Sequence, residues 1–185
     1  MTGANFLLTL DNSSKKTKIL VDCGLIQGEK AAQAENREDF GYDASEIDIL
    51  FITHAHLDHV GRIPKLVKEG FNGVIYSTPE TMALGTLILE DAVGLLEKDA
   101  KNEGVLPLYD IQDMRRALTL WKTIPYHEET SFPEGFSVYL RDAGHILGSA
   151  MIQFTYEGKK VVFTGDLGNT PTPLLKDTEA ITGAD

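Results

Sequence analysis

Four of the five histidines fall in two short stretches, each flanked by residues able to share a metal ion with them. The first stretch is Thr53-His54-Ala55-His56-Leu57-Asp58-His59, directly behind an apolar run. Imidazole nitrogen and carboxylate oxygen suit Zn²⁺ and related borderline ions. In an extended segment, residues two apart point to one side, so His54 and His56 can grip one metal. Asp58 and His59 follow where the chain bends towards a helix, and can reach a second metal beside the first. The second stretch is Asp142-Ala143-Gly144-His145-Ile146-Leu147-Gly148-Ser149. His145 stands there among glycines that let backbone approach closely. It supplies the third imidazole that a metal with an open coordination position needs.

Two aspartates complete the set. Asp166, in Phe163-Thr164-Gly165-Asp166-Leu167-Gly168, leaves a strand between glycines. It can start a turn, or its two oxygens can bridge a metal pair about 3.5–4 Å apart. Asp22, in Val21-Asp22-Cys23-Gly24, leaves another strand end. Its carboxylate can hold the free ring N–H of a ligand histidine, or cap a turn. No Ser or Cys triad competes with this set. Cys23 follows a buried strand and reads as a small hydrophobe, and His127, beside Glu128 and Glu129, reads as a surface residue.

These residues need elements to position them. Residues 5–10 and 17–22 are β-prone runs around a polar turn, and so read as a hairpin. Residues 28–40 are polar and weakly periodic, a loop with helical turns. Residues 48–53 form a continuous apolar run, the pattern of a strand covered on both faces. Pro64 suits the first turn of a short helix closed by Gly70. Residues 74–77 read as a strand. Thr78 then caps a helix with Pro79 in its first turn, and Leu84, Leu87, Ile88 and Leu95 are expected to face the core. Asp110 caps a second helix, with Ile111, Met114, Leu118 and Trp121 at helical spacing. Beyond Phe136 the reading is β, with strands at 138–141, 150–156 and 160–164 and a turn at Glu157-Gly158. The rest is loop, rich in proline at Pro171 and Pro173.

Composition bounds the function. Seventeen Lys and Arg face 28 Asp and Glu, a net charge of −11, which argues against a globally basic nucleic-acid binder. A local groove remains open to that role, with Arg62, Lys65 and Lys68 as its cations, although each taken singly reads as a solvated surface charge. The single cysteine excludes an internal disulfide framework, and a reduced, cytoplasmic setting is expected. The apolar runs are too short to span a bilayer, and the start lacks the charged and apolar regions of a secretory signal.

Together the residues resemble the metallo-β-lactamase superfamily, in which an Asp, an H-x-H-x-D-H run, a His and a further Asp stand at strand ends. Here they are Asp22, then His54, His56, Asp58 and His59, then His145, then Asp166. Gly144-His145-Ile146-Leu147-Gly148-Ser149-Ala150, Thr164-Gly165-Asp166-Leu167-Gly168 and His59-Val60-Gly61-Arg62-Ile63-Pro64 are similar to the β-CASP nuclease branch. That branch includes RNase J and the endonuclease subunit that cuts pre-mRNA at its 3′ end.

The resemblance implies an α/β fold of the αββα sandwich type, with mixed sheets packed face to face and helices outside. It implies that residues 1–185 are the N-terminal portion of a single domain, lacking a first strand, a C-terminal part and the β-CASP lid. His54, His56 and His145 would take one zinc, Asp58 and His59 another, and Asp166 would bridge them. One further ligand, a histidine, is expected beyond Asp185, so the chain is expected to hold two zinc ions or one. The implied activity is an RNA phosphodiesterase using a hydroxide between two zinc ions. Asp58, Asp166 and Asp22 are its expected catalytic residues, and inactivity of the shortened chain is weighed against it. Iron and manganese accept the same ligands. RNA is the expected partner, no membrane is expected, and monomer and homodimer both fit. The competing readings are a thioester or lactone hydrolase of the same superfamily and a non-catalytic partner subunit. The latter should show broken ligands, and none is substituted here.

Overall fold

The computed structural model describes residues 3–11, 16–28 and 30–184. A hairpin opens it. β1 (Phe6–Asp11) and β2 (Lys16–Val21) pair antiparallel from Phe6↔Val21 to Asp11↔Lys16, and the turn expected at 12–15 lies outside the described residues. α1 (Lys30–Arg37) is a continuous helix where the sequence reads loop with helical turns. Its weak periodicity reflects an anchor that is polar: the Asn36 amide exchanges two 2.8 Å hydrogen bonds with the backbone of Ile26. A 3₁₀ turn capped by Asp43 precedes β3 (Ile49–Phe51). α2 (Leu57–Val60), α3 (Ile63–Lys68), β4 (Val74–Ser77), α4 (Pro79–Glu103), α5 (Ile111–Thr119) and β5 (Trp121–Thr123) follow. The second half is β6 (Glu129–Ser131), β7 (Ser137–Asp142), β8 (Ala150–Tyr156) and β9 (Lys159–Phe163).

Two sheets result. The first has the order β1-β2-β3-β4-β5, with β2 to β5 parallel and β1 antiparallel at its edge. The second, β6-β7-β8-β9, is antiparallel throughout rather than mixed. Its connections are too short for the crossovers that parallel pairing requires. Glu157 and Gly158 both take positive φ, the twist that a two-residue hairpin turn favours. β5 and β6, each three residues long, have no counterpart in the sequence reading; runs that short carry no alternation to detect.

β3 shows why its run is apolar at every position. Ile49 and Phe51 face the second sheet with Ile19, Val21, Leu140 and Phe154, while Leu50 and Ile52 face helices with Leu66, Leu89 and Met114. Phe51 is fully buried, with Phe154 edge-on at 5.1 Å and Tyr76 stacked at 5.5 Å. Truncating such a residue to alanine costs about 3–5 kcal/mol. The helices cover the outer face of the first sheet, and among the described residues no helix covers that of the second.

α4 corrects one expectation. Its first turn is capped by Thr78, whose side chain accepts from the Thr81 amide. Its buried positions are Thr81, Gly85, Leu89, Ala92, Val93 and Ala100, whereas Leu87 and Leu95 are 62% and 55% exposed and Ile88 is exposed too. The pattern of large apolar residues misleads because small ones make the contact. A Cβ on Gly85 would lie 2.8 Å from the Trp121 ring, so the helix seats closer than leucine allows. Trp121 does not extend the α5 stripe. It begins β5, and its indole N–H donates to Ser77 Oγ at 2.9 Å. α5 itself starts at the expected cap, a reciprocal box between Asp110 and Asp113.

Candidate metal centre

The strand ends bring the chemistry together. Asp22 directly follows β2, while His54, His145 and Asp166 are each the third residue past β3, β7 and β9. His56 is the cap residue of α2, and Asp58 and His59 lie within that helix rather than ahead of it. Ligand atoms of His54, His56, His145 and Asp166 lie within 4.8 Å of one another. His54 Nε2 and His145 Nε2 both stand 3.1 Å from His56 Nδ1. Asp166 turns Oδ2 towards His145 Nε2 at 3.6 Å and His54 Nε2 at 3.8 Å, and Oδ1 towards His59 Nε2 at 3.4 Å. One carboxylate therefore faces three imidazoles, His54 and His145 at one oxygen and His59 at the other.

Thr53 and Asp22 orient the rings. The Thr53 hydroxyl donates to Asp22 Oδ2 at 2.8 Å, and the Thr53 amide donates to Asp22 Oδ1 at 2.8 Å. With its proton so engaged, Thr53 Oγ1 accepts Nδ1–H of His54 at 3.0 Å, which leaves a lone pair on His54 Nε2. His59 Nδ1–H donates to Asp22 Oδ2 at 2.8 Å, leaving its Nε2 free for Asp166. Burial, reinforced by the neighbouring His59, His56 and His145, pushes the His54 pKa down to about 2, so the ring stays neutral. Burial and then His56 lower that of His145. For His59 burial acts downwards, but the Asp22 hydrogen bond and the charges of Asp22, Asp166 and Asp58 together raise it. A single ring proton at His56 Nδ1 cannot point at both neighbouring nitrogens. This inward set of lone pairs beside a carboxylate fits a cation, and borderline metal ions above all.

The turn holding His145 is built from its neighbours. Ser149 Oγ accepts the amides of His145 and Ile146 at 3.1 and 3.2 Å. The hydroxyls of Thr78 and Thr81 both donate to the Gly148 carbonyl at 2.8 Å, tying the turn to the start of α4. Gly148 has φ +85, and a Cβ there would lie 2.6 Å from the Thr81 amide nitrogen. Gly165, φ +56, is equally confined: its Cβ would meet Thr53 at 2.7 Å. Sequence spacing points to the histidines, reads Thr78 only as a helix cap and passes over Thr53 and Thr81. The only available signal was that Thr53 precedes His54 directly.

Asp58, buried, faces an open cleft of about 470 Å³ lined also by Phe6, Asp22, His59, Phe163 and Asp166. The cations expected near substrate lie elsewhere. Arg62 is buried, donates to the Gly24 carbonyl at 2.5 Å and covers the Phe40 ring. Lys65 is buried, donates to the Glu38 carbonyl at 2.7 Å and pairs with Glu69 at 2.6 Å. Lys68 donates to the Leu108 carbonyl at 3.0 Å. Their charges are spent on joining helices to loops. His127 lies at the surface as expected, with its Nε2 2.6 Å from Glu179 Oε1. Cys23 is fully buried, and burial pushes its pKa up to about 12, as befits a small hydrophobe.

A sandwich of two sheets with a His/Asp cluster at its strand ends defines a class. The profile of the metallo-beta-lactamase superfamily matches residues 6–183, and the chain belongs to that superfamily. It is 38% identical over 160 residues to the ribonuclease TTHA0252 of Thermus thermophilus, covering 86% of this chain and 35% of that protein. It is 35% identical to the transcription termination factor FttA of Methanococcus maripaludis, over 90% of this chain and 26% of that one. It is also 35% identical to the cleavage and polyadenylation specificity factor 73 of Drosophila melanogaster, over 82% and 22%. These relatives are of the β-CASP branch that the motifs resemble. The chain thus spans about a third or less of the length of these curated relatives. Among solved structures, a metallo-beta-lactamase of Cronobacter sakazakii with a HARLDQ motif superposes with a TM-score of 0.51 at 18% identity, over 92% of this chain and 56% of that one. That likeness is one of fold.

Proposed function

We propose that this chain forms the metal-binding part of a nuclease that cleaves RNA phosphodiester bonds. The convergence of His54, His56, His145 and Asp166 within 4.8 Å carries the reading, in a chain related to a protein named a ribonuclease. On this reading His54, His56 and His145 would hold one zinc ion, Asp58 and His59 would hold a second, and Asp166 would serve both. Bound there, the metal pair supplies Lewis acidity, which activates water near neutral pH and neutralises charge on a phosphoryl group.

The chain's own residues prepare that site. Thr53 keeps the His54 lone pair turned inwards, and Asp22 fixes the tautomer and the angle of His59. The carboxylate of Asp58, at the wall of the open cleft, orients the attacking water through its hydrogen. No side-chain nucleophile is needed. Arg62, Lys65 and Lys68 are engaged inside the fold, so phosphate is held chiefly at the metal positions.

Elemental mass spectrometry on protein purified without added metal tests the reading, with His56→Ala beside it. The expected result is ~2 zinc per chain, and less than half of that in the variant. Cleavage of labelled single-stranded RNA, with a thioester and a lactone as controls, tests the substrate class. Absence of metal from the wild-type protein would sink the proposal.

A further inference from the structure

The carbonyl oxygen of Ala143 is where three segments meet. It accepts the Gly168 amide at 2.9 Å and the Thr178 hydroxyl at 2.8 Å. Ala143 also closes the turn of His145, its amide donating to the Ser149 carbonyl at 3.0 Å. Gly168 lies two residues past Asp166. Thr178 therefore touches one atom that belongs to the His145 turn and is bonded to the Asp166 turn.

The segment around Thr178 is fastened on both sides. The Glu179 amide donates to the Asp142 carbonyl at 3.1 Å, and Glu179 Oε1 meets His127 Nε2 at 2.6 Å. His127 is held in turn, its amide donating to the Leu140 carbonyl at 3.0 Å from a left-handed backbone with φ 62. The strap lies so close that a Cβ on Gly144 would stand 2.8 Å from the Thr178 nitrogen and 2.9 Å from the Lys176 oxygen. Gly144 immediately precedes His145.

We propose that residues 168–179 form a strap that positions the metal centre, with Thr178 as the residue coupling the His145 turn to the Asp166 turn. The His127–Glu179 pair holds the strap in place. Three imidazole groups can converge on an ion only if the His145 turn keeps its height over His56, and Thr178 sets that height from behind. The inference rests on the metal-binding reading of the site for one of its two readouts.

The test compares Thr178→Val, which keeps shape and loses the donor, with Thr178→Ser, which keeps the donor. In the metal-free protein, amide hydrogen exchange at 143–149 and 166–168 should quicken roughly tenfold in Thr178→Val, with the β3 amides unchanged. Thr178→Ser should restore the wild-type rates, and Glu179→Gln should show the same pattern in weaker form. Zinc affinity, read by competition with a chromophoric chelator, should fall roughly 10- to 100-fold in Thr178→Val and recover in Thr178→Ser. A tenfold rise corresponds to about 1.4 kcal/mol, so the thermal midpoint of the metal-free protein should fall by only a few degrees. Unchanged exchange in Thr178→Val, a rise spread evenly over the molecule, or failure of serine to restore would each overturn the strap. So would altered exchange with unaltered zinc affinity. A wild-type protein that takes up no zinc removes the metal-binding reading instead, and exchange alone then decides.

Discussion

Thr53 serves two residues, Asp22 and His54, with one hydroxyl and one amide, and the loss of that hydroxyl can be weighed. In Thr53→Val, Asp22 loses a donor and His54 Nδ1–H loses its acceptor, both in buried surroundings. Leaving buried polar groups unpaired costs about 1–3 kcal/mol, and loss of ring orientation lowers metal affinity roughly 10- to 100-fold. Urea denaturation and chelator competition read the two effects separately, and unchanged affinity would refute the tautomer argument. Cys23 gives a second expectation. With its pKa near 12 and no exposed surface, it should ignore a thiol reagent at pH 8 in the folded protein and react fully in denaturant. The histidines and aspartates of the site were legible in the sequence because their types are few and their spacing suits a metal. Thr53 was not, since threonine is common and its partner Asp22 lies 31 residues away.

Among the elements, α4 offers two glycines with opposite expectations. Replacing glycine by alanine inside a helix gains up to about 1 kcal/mol of propensity. At Gly94 nothing lies within 4 Å of the new Cβ, so Gly94→Ala should raise stability by about that amount. At Gly85 the Cβ would meet the rigid Trp121 ring at 2.8 Å, and Trp121 is held by Ser77. Overpacking of this kind costs about 1–3 kcal/mol, which outweighs the propensity, so Gly85→Ala should destabilise. Thermal or urea unfolding of the two variants checks the signs. The same contact explains which face of the helix could not be read. Its caps, Thr78 and Pro79, announce themselves locally, but a small-residue face is visible only once the partner ring is in place. β3 was legible for the converse reason, because a strand covered on both sides has no polar position to hide it.

For the molecule as a whole, charge and linkage decide. With a net charge of −11 and Arg62 committed to Gly24 and Phe40, removal of Arg62 acts on folding rather than on RNA. Arg62→Ala should cost about 1.5–3 kcal/mol of stability and, if the chain binds RNA as proposed, leave the salt dependence of that binding unchanged. A drop in that dependence would restore Arg62 to the substrate. Among the described residues no helix is long and apolar enough to cross a membrane. Membership of the superfamily was legible from the strand-end motifs, whereas the commitment of the basic residues was not, because it depends on carbonyls brought in from distant loops.

The ligand-type residues come from both sheets: His54, His56, Asp58 and His59 follow β3 in one, and His145 and Asp166 follow β7 and β9 in the other. Until the sheets dock there is no complete set, so on the proposed metal-binding reading an ion stabilises only states in which they have docked. On that reading zinc should slow unfolding in step with its concentration, with a smaller effect on the refolding rate in stopped-flow. The site would then govern lifetime: a loaded molecule must release its ion before its two layers can part.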